Sequence, residues 1–240
     1  MSLRLHVALP LAQLLAGSEF ALPPGAARHA QVRRIQPGHS LCLFDGSGSD
    51  WQAEVVSMGR SEVRVRLGDA VAVAAELPFD VLLAVGMPAN ERMDMLVEKA
   101  TELGVTTIQP LLTERSVLRL EGERAERKRE HWQGVAIAAC EQCGRSRVPH
   151  VAAVTTLRDW LPRAGAGLRL VLSLAPGAAP LGAARGAVIS LSGPEGGLSP
   201  SEEDLARQHG FVPTALGPRV LRADTAPLAL LACLGLTNLS

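Results

Sequence analysis

Between Val188 and Ala226 the chain reads VISLSGPEGGLSPSEEDLARQHGFVPTALGPRVLRADTA. Val188 to Ser192 is short, apolar and β-branched at its start, suited to a strand buried on both faces. Gly193-Pro194-Glu195-Gly196-Gly197 breaks regular structure, because glycine tolerates positive φ and proline fixes its own. Ser199-Pro200-Ser201-Glu202 then supplies a helix start: an N-cap serine, proline in the first turn and glutamate at N3 as a capping box. Gly210 closes that helix, Phe211 to Leu216 is the next strand, and a second loop rich in Gly, Pro, Arg and Asp follows. Doubly buried strands that alternate with helices call for a parallel sheet in an α/β fold, and loops after successive strands lie on the edge where open sheets bind ligands.

The same alternation begins near Pro78. Phe79 to Val85 is an apolar strand and Gly86-Met87-Pro88-Ala89 a turn. Asn90 is placed to cap a helix whose Met93, Leu96, Val97, Ala100 and Leu103 recur at helical spacing. Gly104 ends it, and Val105 to Leu112 continues as strand, a βαβ unit with a right-handed crossover. A charged segment, Glu121 to Glu130, leads into a helix with Trp132, Val135, Ala136, Ala139 and Cys143 on one face. Leu168 to Leu174 is another buried strand, and Ser173 to Gly177 opens a third loop. The last element, Ala226 to Thr237, is apolar all round and needs burial in the core or in a subunit interface.

Residues before this region differ in kind. Leu3–Ala8, Ser40–Phe44, Trp51–Ser57 and Glu62–Leu67 read as short strands, with Asp45 to Asp50 as a hairpin loop and strict polar–apolar alternation from Glu62 to Leu67. Ala70 to Ala75 reads as a strand end passing into a linker. The expected organisation is a small β domain over residues 1–74 and an α/β domain over 75–240.

Composition narrows the function classes. Lys+Arg and Asp+Glu balance at 24 each, so no net field draws the chain toward nucleic acid or membrane. Lys99 and Lys128 are the only lysines. Local basic clusters remain at Arg28, His29, Arg33 and Arg34, and again where Arg145, Arg147, Arg158, Arg163, Arg169 and Arg185 are opposed only by Asp159. Cys140-Glu141-Gln142-Cys143 has redox or half-zinc spacing, but no second CxxC or HxxxH completes a metal site, and with Cys42 and Cys233 it reads as reduced thiols in a cytoplasmic protein. Pro10 and Gln13 interrupt the N-terminal apolar run, which argues against a secretory signal, so the sequon Asn238-Leu239-Ser240 carries no weight. No apolar run reaches the ~18–20 residues of a membrane span. P-loop, nucleophile-elbow, HExxH and kinase signatures are absent, and the first α/β strand ends in Gly86-Met87-Pro88, without a dinucleotide fingerprint. The residues alone indicate a ligand site at the C-terminal loops.

The blocks Gly193-Pro194-Glu195-Gly196-Gly197 and Leu216-Gly217-Pro218-Arg219-Val220-Leu221-Arg222-Ala223-Asp224-Thr225-Ala226 closely resemble the RsmE family of ribosomal RNA methyltransferases. Upstream, Glu98 to Val105, Thr113-Glu114-Arg115-Ser116, Glu141-Gln142 with Arg145, and Val148-Pro149 agree. Val32-Arg33-Arg34-Ile35, Pro37-Gly38 and Phe44-Asp45-Gly46 look like that family's PUA-like domain, so the resemblance covers essentially the whole chain. It implies a small β-barrel PUA-like domain before a SPOUT methyltransferase domain with a C-terminal trefoil knot. It further implies a homodimer, S-adenosyl-L-methionine as cofactor, and methyl transfer to N3 of a specific uridine in 16S rRNA, on naked RNA or the 30S subunit, without metal or membrane.

Carried onto this chain, the cofactor would be held by Ser173, Leu174, Gly193, Pro194, Glu195, Gly196, Gly197, Leu216, Gly217, Leu221, Arg222, Thr225 and Ala226. Arg222 and Arg219 would stabilise negative charge on the base, and Glu195 or Asp224 would take the N3 proton. Bland roles stand beside these: Glu195 as acceptor of loop N–H bonds, Asp224 as a cap of the last helix. Arg28, Arg33, Arg34, Arg115, Arg145 and Arg147 would contact RNA phosphates. Two positions depart from the family: Asp224 stands where glutamate is common, and no lysine lies near Met87–Asn90, which leaves Arg92 as its substitute. Two other readings are a SPOUT enzyme acting on another RNA, such as tRNA ribose, and a non-catalytic ribosome-assembly factor, which would bind RNA indifferently to S-adenosylmethionine.

Overall fold

The computed structural model describes residues 2–184 and 186–237, the side chain of Asn90 excepted. Arg185, the 238–240 sequon and any capping by the Asn90 side chain therefore lie outside the described residues. The chain divides into two compact units, residues 1–76 with 140–148, and residues 77–139 with 149–240.

The first unit holds β1 (Leu3–His6), β2 (Glu19–Ala21), α1 (Pro24–Val32), β3 (Ser40–Phe44), β4 (Ser49–Met58) and β5 (Val63–Ala72). Its described strands form one sheet in the order β1-β3-β4-β5-β2, with β1 parallel to β3 and the other pairings antiparallel. The alternation in β5 behaves as expected: Val63, Val65 and Leu67 are buried among Leu5, Leu41, Leu43 and Val55, while Arg64 and Arg66 are exposed. Two elements escape the strand-by-strand reading. β2 has three residues, too few for a period, and α1 opens on Pro24-Gly25, which sequence reading treats as punctuation. The run at Ala70–Ala72 completes β5, paired with Ser49 to Trp51, and the chain leaves the strand after Ala72, as a strand end passing into a linker should.

Residues 140–148 belong with this unit although the sequence assigns them to the α/β part. The contacts responsible are polar. Glu141 accepts from the His6 backbone N–H at 2.9 Å and pairs with His29 at 3.2 Å. Asp50 receives Arg4 and Ser146, and the Arg4 Nη2 also donates to the Arg145 carbonyl at 3.2 Å. Backbone bridges join Arg147 to Gly46 and Ser47. A pattern search keyed to apolar periodicity has no access to such long-range polar pairing.

The second unit holds β6 (Val81–Gly86), α2 (Asn90–Glu102), β7 (Thr107–Leu112), α3 (Gly122–Cys143), β8 (His150–Val151), β9 (Thr155–Thr156), α4 (Leu157–Trp160), β10 (Leu168–Leu172), β11 (Ala179–Pro180), β12 (Val188–Ser192), α5 (Pro200–Gln208), β13 (Val212–Ala215) and α6 (Thr225–Thr237); α3 continues past residue 139. Its described strands run β11-β13-β10-β12-β6-β7-β8, with β9 also on β7, and all these pairings are parallel. β12 is buried at every position, as its apolar run predicts. The βαβ unit β6-α2-β7 forms with Met93, Leu96, Val97 and Ala100 in the core, and the N-cap position of α2 is Ala89. α5 begins with the expected capping box, Ser199 and Glu202 each bonding the other's backbone N–H.

Among the described residues, no helix is long and apolar enough to cross a membrane and no cluster of His, Cys, Asp and Glu is placed to hold a metal. Cys42 and Cys140 are buried free thiols, each pushed up to about 12 by burial, and Cys143 is a half-buried free thiol.

Candidate active site

The order β13-β10-β12 makes neighbours of three strand ends that are far apart in sequence, because β10 lies between the two strands of the Val188–Ala226 stretch. The loops after these strands surround a cavity of about 560 Å³, the size of a small-molecule site. Ser173 and Leu174 line it from the loop after β10, Gly193 to Leu198 from the loop after β12, and Leu216 with Arg219 to Ala223 from the loop after β13. Ala226, in the first turn of α6, completes that side.

The glycine loop is built by close approach as much as by backbone sign. A Cβ on Gly193 would lie 2.5 Å from the backbone of Gly197 and Leu198, so only glycine allows the loop to fold back on itself. Gly197 takes φ +69° and donates to the Pro194 carbonyl at 2.8 Å, closing a four-residue turn. Beneath it, a Cβ on Gly86 would meet Pro194 Cδ at 2.6 Å. The Gly86 turn is therefore shaped to receive the glycine loop.

Most residues expected to hold the cofactor meet here: Ser173, Leu174, Gly193 to Gly197, Leu216, Leu221, Arg222 and Ala226 all line the cavity, whereas Gly217 and Thr225 do not. Of the four residues expected in catalysis, Arg219, Arg222 and Glu195 line it. Asp224 does not line it: it is buried immediately before α6, with Oδ1 lacking a hydrogen-bond partner. No hydrogen bond or ion pair among the described residues engages the Arg219 or Arg222 guanidinium, so both cations remain available to an anion. Glu195 is anchored: its Oε1 accepts from the Ala89 N–H at 3.1 Å and from Arg92 at 3.2 Å, which ties the loop to the start of α2.

Among the lining groups that sequence reading did not name are Glu203 and Ser192. Glu203 lies one residue beyond the capping box and accepts from the Ser173 hydroxyl at 3.2 Å. Ser192, the last residue of β12, is buried with a hydroxyl that has no partner. Arg92, named from the sequence only as the substitute for a lysine, lines the cavity as well. Position in a motif could have flagged Ser192; nothing local flags Glu203.

The residues expected to touch RNA divide between the two units. Arg28, Arg33, Arg34 and Arg147 are exposed in the first unit. Arg145 corrects the expectation: it is 2% exposed and pairs with Glu76 through Nε at 3.1 Å and Nη2 at 2.5 Å, so its charge is spent inside the protein. Arg169, from the same basic stretch, donates to the carbonyls of His209, Ala164 and Gly165. Arg115 lines the cavity of the second unit.

An α/β domain with a three-loop cavity on its parallel sheet follows a small β domain in the chain, and comparison with known families gives the class, RNA methyltransferases. The family model described as an RNA methyltransferase domain matches residues 75–235, and that of an RNA methyltransferase PUA domain matches residues 22–68. Curated relatives named ribosomal RNA small subunit methyltransferase E include one from Synechocystis, 34% identical over 84% of this chain and 67% of its own length, and one from Mycobacterium bovis, 31% identical over 86% and 81%. Among solved structures, the Neisseria gonorrhoeae methyltransferase E bound to S-adenosyl methionine superposes with TM-score 0.91 at 34% identity, covering 97% of this chain and 96% of that one. A Legionella pneumophila structure in complex with the same cofactor gives TM-score 0.92 at 32% identity, covering 99% and 98%. The chain belongs to the ribosomal RNA small subunit methyltransferase E family.

Proposed function

We propose that this protein binds S-adenosylmethionine in the three-loop cavity and methylates N3 of a specific uridine in 16S rRNA. The observation that carries the reading is the convergence of the loops after β10, β12 and β13, with two uncommitted arginines on the wall. The cavity fits such a cofactor: the glycine loop, which Gly193 allows to fold back on itself, forms one wall, and the Ser192 hydroxyl offers an unmet hydrogen bond. Glu203 with Ser173 supplies polar partners for hydroxyl or ammonium groups, and Leu174, Leu216 and Leu221 supply apolar wall. When bound, the cofactor supplies a sulfonium methyl, whose transfer to nitrogen leaves a neutral thioether.

The chain must make uridine N3 a nucleophile, because the neutral base carries its proton there. Arg219 and Arg222 stabilise the negative charge that develops on the uracil as the proton leaves, an electrostatic role suited to cations held in place before reaction. Of the two acids named from the sequence, Glu195 lines the cavity and Asp224 does not, so the proton goes to Glu195.

The exposed arginines Arg28, Arg33, Arg34 and Arg147 are proposed to grip RNA phosphates, on free 16S rRNA or the 30S subunit, in the cytoplasm. The C-terminal trefoil knot and a homodimer complete the reading. Pro227, Leu230, Leu231 and Leu234 bury one side of the apolar α6, while Leu236 is left 73% exposed, which supports a partner subunit over the rest.

The test is transfer of labelled methyl to small subunits from cells lacking this activity. The wild type is expected to incorporate label, and Arg222→Ala to lower the turnover rate by about 10²–10³-fold. Glu195→Gln keeps an acceptor for Ala89 and Arg92, so cofactor affinity should hold while turnover falls about 10²-fold or more. Incorporation at the wild-type rate by either variant removes that residue from its role.

A further inference from the structure

The residues after β7 are stitched into the glycine loop from outside it. Arg115 Nη1 donates to the Gly196 carbonyl at 2.7 Å and to the Leu198 carbonyl at 3.3 Å. Its aliphatic stem lies on Gly196, where an added Cβ would meet the Arg115 Cβ at 3.2 Å and Cδ at 3.3 Å. One residue earlier, the Glu114 backbone N–H donates to Glu202 Oε1 at 2.9 Å, and Ser201 donates to the Glu114 carboxylate at 3.2 Å.

These bonds fall on particular peptide planes. The Gly196 carbonyl shares its plane with the Gly197 N–H, which is bonded to Pro194, and the Leu198 carbonyl shares its plane with the Ser199 N–H, which is bonded to Glu202 at 2.9 Å. Arg115 therefore holds the second end of two planes whose first ends are fixed within the loop and its helix start. With both ends held, the loop keeps one shape before ligand arrives, which spares a ligand the cost of ordering it. Nη1 of the guanidinium is committed to these two carbonyls, on a side chain that is otherwise exposed.

We propose that Arg115 is a positioning residue that latches the glycine loop in its ligand-binding shape, in place of the RNA contact expected from sequence; the inference rests on the cofactor assignment made above. Three measurements on the full chain with Arg115→Ala test it: amide exchange at Gly197 and Ser199 without ligand, S-adenosylmethionine affinity by calorimetry, and affinity for a 16S rRNA transcript across a salt series. The latch predicts exchange about tenfold faster and cofactor binding about tenfold weaker, the scale of one lost charge-assisted hydrogen bond. RNA affinity and its salt slope should not change.

Arg115→Lys keeps the charge and much of the stem but is shorter, so it should leave RNA binding at the wild-type value and recover only part of the cofactor affinity. Wild-type exchange rates in Arg115→Ala would overturn the latch. So would weaker RNA binding with a salt slope reduced by about one, restored by lysine, at unchanged cofactor affinity. A wild-type protein that does not bind S-adenosylmethionine would overturn the cofactor assignment itself, a separable failure because exchange in the ligand-free protein reads the latch directly.

Discussion

Asp50 carries the clearest pH dependence at the level of single residues. Burial favours its neutral form, but hydrogen bonds from Arg4, Ser146 and Cys42 outweigh it and hold the carboxyl below its ordinary range. A carboxyl depressed in the folded state contributes stability above its unfolded value, about 3.9, and that contribution is lost as pH falls through the folded value. Asp50→Asn should therefore destabilise the protein by on the order of 3 kcal/mol at neutral pH, where it leaves Arg4 buried with less compensation. The deficit should shrink as pH falls below about 4 and on through the lower value at which folded Asp50 takes up its proton. Urea unfolding followed by tryptophan fluorescence at several pH values measures it, and a deficit unchanged at low pH would contradict the account. At this scale the sequence was uneven as a guide. Gly193 to Gly197, Arg219 and Arg222 were legible because contiguous motifs carry them. Arg145 and Arg169 looked like their exposed neighbours, because nothing in an arginine's local context reveals Glu76 or the His209 carbonyl across the fold.

Among elements, the strands and helices with strong periods or caps were readable, and the pieces that complete the sheet were not. The Ser199–Glu202 box fixes the start of α5 by local hydrogen bonding, so the sequence suffices there. β8, β9 and β11 are two residues each and owe their existence to the parallel neighbours that bind them. The placement of β13 on β10 is likewise a tertiary fact, and it is what converts two loops in sequence into a three-loop cavity. The glycine loop as a unit has a direct test. Gly193→Ala must push its Cβ away from backbone atoms 2.5 Å distant, and backbone gives way less readily than a side-chain tip. The expected cost is about 1–3 kcal/mol of stability, with loss of cofactor binding, read by thermal melting with and without ligand. Undiminished ligand-induced stabilisation would mean that the loop's shape does not matter to the site.

For the molecule as a whole, the α/β class, the β-rich N-terminal part and the family could be read from ordered motif blocks spread along the chain. Attachment of residues 140–148 to the first unit could not, since it depends on Asp50, Arg4 and Glu141 meeting through the fold. The central claim concerns the product that the whole assembly of loops and arginines makes. The most direct measurement is mass-spectrometric nucleoside analysis of 16S rRNA taken from small subunits lacking the modification, after incubation with this protein and S-adenosylmethionine. The account predicts that 3-methyluridine appears, at a single position in the RNA. Methylation of a ribose or of another base, with no 3-methyluridine, would contradict it.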